Sequence, residues 1–281
     1  MSAPVASPTK TAARETIKVR RMDFEFSEST PTFWFDDNPL LTATLSALAV
    51  SFPPGERYFI ASVRHFLDRV DDPELLARVK AFVGQEANHT KEHIAFNKFL
   101  DSRGFPASAM ERWVADRVGE LQKRSSPESN LARTAALEHF TAILASVLLE
   151  HPEIAERMSP EVARLWVWHA IEEVEHRSVA FDVYKIAVDD EKLRIKVMLA
   201  TTVIFVLVNS VRTAMLLRAS GRQWELRSLL KGLNVMWGKP GLFRKVVPHY
   251  LEYFRKDFHP SQLDCEQHLE AAKQRYLGAL A

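Results

Sequence analysis

The sequence predicts an all-α protein, a four-helix bundle extended by additional C-terminal helices. Three observations predict it. Only nine of the 281 residues are glycine, while Ala, Leu, Glu, Arg and Val run in long stretches, which argues against a many-turned β protein. Apolar residues recur at three- and four-residue steps over four long segments. The connections between those segments are short and carry Pro, Asp, Ser or Gly where helices start and stop.

Residues 1–37 read as an N-terminal tail and extended segment. The first 21 are polar and basic, lack the apolar stretch of a secretory signal and are expected to be flexible. Residues 22–37 alternate aromatic and polar side chains and are expected to lie extended across the bundle. The bundle itself is assigned to residues 38–189. A helix over 39–50 is followed by a break at Pro53-Pro54-Gly55, and a new helix starts at Glu56 and runs to 70. Asp71-Asp72-Pro73 ends it and opens the next, over 74–103, because proline and acidic side chains suit a helix N-terminus. A surface-like helix is expected over 108–123. Ser126-Pro127-Glu128 opens a helix over 128–150, closed by His151-Pro152, and Ser159-Pro160-Glu161 opens the last, over 161–188.

Residues 190–281 are expected to form a C-terminal helical region packed on the bundle. Its first element, 197–217, is almost wholly apolar and about long enough to cross a bilayer. Asn209, Ser210 and Arg212 interrupt it, so a helix buried against the bundle is expected. The basic and aromatic stretch 242–256 is expected to be an amphipathic surface helix, with peripheral membrane contact as the alternative.

Composition excludes several classes of function. Lys plus Arg number 37 against 36 Asp plus Glu, so a net charge of +1 gives no electrostatic case for nucleic acid. Cys265 is the single cysteine, which excludes an intramolecular disulfide, a cysteine-built zinc site and a cysteine-ligated iron–sulfur cluster, and fits a reducing cytoplasm.

The chemistry lies in residues that interrupt the apolar stripes. The stripe of the 56–70 helix begins with Glu56 and continues Ile60, Val63, Leu67. On 74–103, Phe82 is followed by Glu86, His89 and His93 before Phe96. On 128–150, Glu138 falls between Ala135 and Ala142. On the last helix His169, Glu173 and His176 fall between Trp166 and Ala180. Burying one unpaired carboxylate costs several kcal/mol. Four beside three imidazoles therefore require compensating charge, which two divalent cations would supply. Glu86-x-x-His89 and Glu173-x-x-His176 each place a carboxylate and an imidazole one turn apart, and Glu56 and Glu138 come singly from the other two helices. Mixed oxygen and imidazole donors suit iron first, with manganese or zinc as alternatives. His93 is expected beside the site rather than in it, His139 is expected to face elsewhere, and Glu172 is the register alternative to Glu173. The small residues Thr134, Ala135, Thr141, Ala142 and Ala145 around Glu138 either leave room for a substrate or reflect close helix packing.

The order Glu, ExxH, Glu, ExxH over residues 50–190 resembles the ferritin-like di-iron carboxylate superfamily. His169, four residues before Glu173, makes the last motif HxxxExxH, similar to the pattern of the di-iron arylamine N-oxygenases, in which the extra histidine is a seventh ligand. That resemblance implies Glu56, Glu86, His89, Glu138, His169, Glu173 and His176 as metal ligands. The flanking segments Pro53-Pro54-Gly55-Glu56-Arg57, Gln85-Glu86-Ala87-Asn88-His89 and Trp168-His169-Ala170-Ile171-Glu172-Glu173 resemble a bacterial family labelled predicted metal-dependent hydrolases. Together the resemblances imply an enzyme with two metal ions that activates dioxygen to oxidise a small apolar or aromatic molecule, supplied by an electron donor. The alternatives are a hydrolase using metal-activated water and a non-catalytic metal-binding protein. A homodimer is compatible with either.

Overall fold

The computed structural model describes residues 17–280, and among them every regular element is helical. Twelve α-helices follow in order: α1 (Pro39–Ala49), α2 (Phe52–Arg64), α3 (Pro73–Ser102), α4 (Ala107–Arg124), α5 (Pro127–Glu150), α6 (Pro152–Ala155), α7 (Pro160–His176), α8 (Val179–Ala187), α9 (Glu191–Ala219), α10 (Leu226–Leu233), α11 (Leu242–Glu252) and α12 (Glu266–Ala272). Their starts follow local chemistry. Asn38, Asp72, Ser126 and Asp190 each use a side-chain oxygen to accept a backbone N–H of the helix that follows, and proline occupies the first turn of α1, α2, α3, α5 and α7.

Helices α2 and α3 pack together, as do α5 and α7, and α2–α5 and α3–α7 contacts join the two pairs. Phe82, Leu131, Val162 and Trp168 fill the interior between them. Helix α1 lies against α3 and carries α9 and α10 on its other side, and α9 also rests on α5.

The structure corrects several expectations. Pro53 and Pro54 are not a break but lie inside the first turn of α2, which starts at Phe52 because proline is well accommodated there. Helix α2 ends at Arg64, and a tight 3-10 turn at Leu67–Arg69 keeps Phe66 and Val70 buried, so the helix expected to reach 70 is shorter. The single helix expected over 161–188 is two, parted at Arg177 and Ser178. Arg78 pins the start of the second, donating to Ser178 Oγ at 2.7 Å and Asp182 Oδ2 at 2.8 Å.

Residues 1–16 of the tail expected to be flexible lie outside the described residues. The rest of it is docked, with Ile17 and Arg20 buried. Residues 22–27 carry no regular structure and pack on the bundle, whereas 28–37, expected to lie extended, fold into turns closed by a bridge from Phe35 to Met158. Phe24 packs on Trp168 with ring centroids 5.4 Å apart, and Phe26 meets Phe96 at 5.2 Å. The buried Glu92 carboxylate accepts the Asp23 and Phe24 backbone N–H groups. We call residues 17–37 the strap.

Helix α9 is the largest departure. It is not buried against the bundle: Val197, Met198, Thr201, Arg212 and Leu216 face inward, while the opposite side is bare. A helix at the edge of the body has one neighbour-bearing side, and apolar composition all round does not create a second. Among the described residues two helices, α5 and α9, are long and apolar enough to cross a membrane, but α5 is a core helix. Helix α11 is amphipathic, burying Leu242 and Val246 and exposing Val247 and Leu251.

Candidate metal centre

All seven residues picked from the stripes arrive at one place, and all are buried. Glu56 comes from the second turn of α2, Glu86 and His89 from the middle of α3, Glu138 from the middle of α5, and His169, Glu173 and His176 from the last two turns of α7. His176 Nε2 stands 3.1 Å from Glu86 Oε1, 3.4 Å from Glu138 Oε2 and 3.5 Å from Glu173 Oε2. His89 Nδ1 stands 3.5 Å from Glu173 Oε1, which lies 2.9 Å from His169 Nε2. Donor atoms of Glu56, His89 and His169 lie within 4.8 Å of one another, and so do those of Glu86, Glu138 and His176. Glu86 also groups with His89 and Glu173, which joins the two sets.

The donor atoms fit a cation. Glu56 Oε1, both oxygens of Glu86 and of Glu138, Glu173 Oε2, His89 Nδ1 and His176 Nε2 are buried with no hydrogen-bond partner. Buried polar atoms in folded proteins are nearly always satisfied, so a convergent set of unsatisfied donors and acceptors marks a missing charge. Electrostatics agree. Burial, with Glu138 and Glu173 close by, pushes the Glu86 carboxyl up to about 8, and burial pushes Glu138 up to about 7. Burial and Glu86 raise Glu56 well above the usual range. Burial also works against Glu173 and His176, yet their mutual attraction wins, holding Glu173 low and His176 high. Without a cation the cluster neutralises itself with protons.

The outward nitrogens of His169 and His176 are hydrogen-bonded, which fixes how these rings present their inner nitrogens, while that of His89 lies beside a carboxylate. His176 Nδ1–H donates to Gln85 Oε1 at 2.8 Å. His169 Nδ1 and His93 Nε2 share a hydrogen bond of 2.7 Å. His89 Nε2 lies 3.2 Å from Glu172 Oε2. Arg20 of the strap then closes a ring around this side of the site. It donates to Glu172 at 3.2 Å and by both terminal nitrogens to Glu175 at 2.7 and 2.8 Å, and Glu175 accepts from Gln85 Nε2 at 2.9 Å.

Glu173 faces the cluster and Glu172, its register alternative, lies behind His89. His93 stands behind His169, and His139 turns away to the His249 carbonyl and the Tyr253 ring. Sequence reasoning missed Arg20, Gln85 and Thr90, whose hydroxyl donates to Glu56 Oε2 at 2.8 Å. Gln85 had a signal, a polar residue beside Glu86 one turn from His89. Arg20 had none.

Residues 18–264 match the model of a family described as predicted metal-dependent hydrolase. The chain belongs to this predicted metal-dependent hydrolase family. No curated protein and no solved structure shows a significant match. Membership in a metal-dependent family agrees with the buried Glu and His cluster. In this family member an apolar cavity reaches His169 and Glu173. Leu48, Phe52, Leu144, Trp166 and Phe205 are among its walls, and of the small residues around Glu138 Thr141 and Ala145 line it while Thr134, Ala135 and Ala142 are packed in the core. A second cavity reaches Glu56 and shares Leu48, Phe52, Thr141 and Phe205 with the first.

Proposed function

We propose that this protein is a dimetal enzyme, with iron as its resident metal, that uses dioxygen to oxidise a small apolar or aromatic molecule on a ferritin-like scaffold of α2, α3, α5 and α7. The convergence of seven buried donors, most of them without a hydrogen-bond partner, carries the reading. Glu56, Glu86, His89, Glu138, His169, Glu173 and His176 would hold the two ions. When bound, a pair of irons would supply the redox chemistry that activates dioxygen.

The chain's own residues set the conditions. Gln85 and His93 hold the His176 and His169 imidazoles so that one nitrogen of each faces the centre, Glu172 stands beside His89, and the Thr90 hydroxyl fixes one oxygen of Glu56. Leu48, Phe52, Leu144 and Phe205 exclude water from the approach to His169 and Glu173. Phe52 rests on the His169 ring at 4.6 Å and so shapes the inner end of the cavity.

Hydrolysis is the second reading, favoured by the family description. The cavity favours oxidation. Among the described residues no lysine, arginine or amide side chain lines the cavity that reaches His169 and Glu173, and its one hydroxyl side chain, Thr141, donates to the Glu138 carbonyl at 3.0 Å. It offers little to polarise an ester or amide carbonyl or to protonate a leaving group.

The test is metal content and an optical spectrum of protein from iron-replete cells, together with the double variant Glu86→Ala, Glu173→Ala. Two irons per chain, lost in the variant, with oxygen uptake after anaerobic reduction, are expected. Zinc- or manganese-loaded protein that cleaves esters without oxygen would replace oxidation by hydrolysis. A well-folded protein that binds no metal would overturn both.

A further inference from the structure

The outward side of α9 is a continuous apolar stripe. Leu199, Val203, Val206, Leu207, Val211 and Met215 recur at helical steps and each is more than half exposed. Single exposed apolar residues are ordinary, but an uninterrupted row over a helix of this length is not. Helix α10, which rests on α1 as α9 does, sets Leu226, Leu230 and Leu233 outward on one face, and Trp224 before it is 81% exposed.

The charge around this stripe is one-sided. Between residues 197 and 256 ten Lys or Arg stand against two acidic residues, Glu225 and Glu252, in a chain whose overall balance is +1. Exposed Arg218, Arg227, Lys239 and Arg244 form no ion pair among the described residues. A second copy placed on this face would bring cations against cations. An anionic bilayer instead accepts the apolar row in its acyl region, the exposed indoles of Trp224 and Trp237 at the boundary and the cations among its head groups.

The inner side of the same helix walls the cavities. Phe205 lines the one that reaches His169 and Glu173. Thr201, Ile204 and Val208 line the one that reaches Glu56, and Ile204 is also more than half exposed. Arg212, buried and bonded to the Ser51 hydroxyl, ties α9 to the body, so the helix lies along a surface rather than crossing it.

We propose that the α9–α10 face docks on an anionic lipid bilayer and that the substrate is an apolar molecule dissolved in the lipid, entering beside α9. The second clause rests on the cluster being the reaction site; the docking does not.

The test uses the metal-loaded full chain and vesicles of phosphatidylcholine, with or without about one-third phosphatidylglycerol. Sedimentation with the anionic vesicles at least tenfold stronger than with neutral ones is expected, and a loss of at least tenfold in Val203→Asp/Leu207→Asp. Quenching of tryptophan emission by acyl-brominated lipid should weaken in Trp224→Ser. If the double aspartate variant misfolds, Arg227→Glu/Arg244→Glu reads the electrostatic part alone. No sedimentation with either vesicle overturns docking. So does a dimer of the parent chain that Val203→Asp/Leu207→Asp makes monomeric, which would give the stripe to a second copy. For the route, binding of pyrene should weaken at least tenfold in Ala145→Phe with metal content unchanged, and equal binding would overturn it. A metal-free chain that still docks refutes the metal reading alone, and a metal-loaded chain that does not dock refutes the docking alone.

Discussion

Metal-free protein is expected to lose stability as pH rises from 6.5 to 8, and bound metal is expected to remove that dependence. Glu86 at about 8 and Glu138 at about 7 both stand above the usual glutamate value of 4.5. The folded state therefore binds their protons more tightly than the unfolded chain, a contribution present at low pH and lost as pH climbs through the folded values. His176, kept charged by Glu173, has the same sign. His89 and His93 are held below 6.5 by burial and act oppositely only beneath that value, and the Glu173 contribution is complete above 4.5. No resolved shift in the cluster opposes the loss between 6.5 and 8. At about 1.4 kcal/mol per pK unit, release of the Glu86 and Glu138 protons across that window removes roughly 2 kcal/mol. For a chain of this size that is a fall of roughly 4 to 8 °C in Tm. Thermal melts by circular dichroism at pH 6.5, 7.25 and 8, with chelator and after reloading with ferrous iron or zinc, measure it. Equal slopes with and without metal, or a metal-free Tm that rises with pH, would refute the argument.

Three further outcomes are expected. Gln85→Leu removes the acceptor for His176 Nδ1–H and should weaken metal binding by about 10- to 100-fold in competition with a chromophoric chelator; unchanged affinity would mean that Gln85 does not orient the ring. Arg20→Ala leaves Glu172 and Glu175 buried without their main partner and should cost about 3 kcal/mol or more in urea unfolding, Lys273 at 3.1 Å from Glu175 softening the loss; a change under about 0.5 kcal/mol, the level of an ordinary surface substitution, would contradict the ring of contacts. Gly232→Ala places a Cβ 2.8 Å from Asn38 Oδ1, the atom that caps α1, and should cost about 1 kcal/mol in the same assay; a neutral result would show that the cap yields without loss.

Periodicity made the seven cluster residues readable, because an ExxH pair on an apolar stripe is a local pattern and each helix declares its own inward face. Helix starts were readable for the same reason, as Asp72-Pro73 and Ser126-Pro127 act within one turn. What pairs across the chain was not. Arg20 reaches carboxylates 152 and 155 residues away, and nothing near it in the sequence distinguishes it from Arg21. The parting of α7 from α8 depends on Arg78 from α3, again a distant residue. The outlook of α9 was hidden by its composition: a helix apolar on every side has no periodic signal to say which side is covered.

The strap has a consequence for synthesis. Arg20 emerges from the ribosome long before Glu172 and Glu175, so the contacts that complete the ring around the site must wait until α7 is made. Until then Phe24 has no Trp168 to cover, and α3 and α7 lack the cross-tie between them. Closing a loop of some 150 residues costs only a little more entropy than closing a short one. Order of arrival rather than length sets the delay, and the helices that bear the cluster can meet before Arg20 ties α7 to the strap.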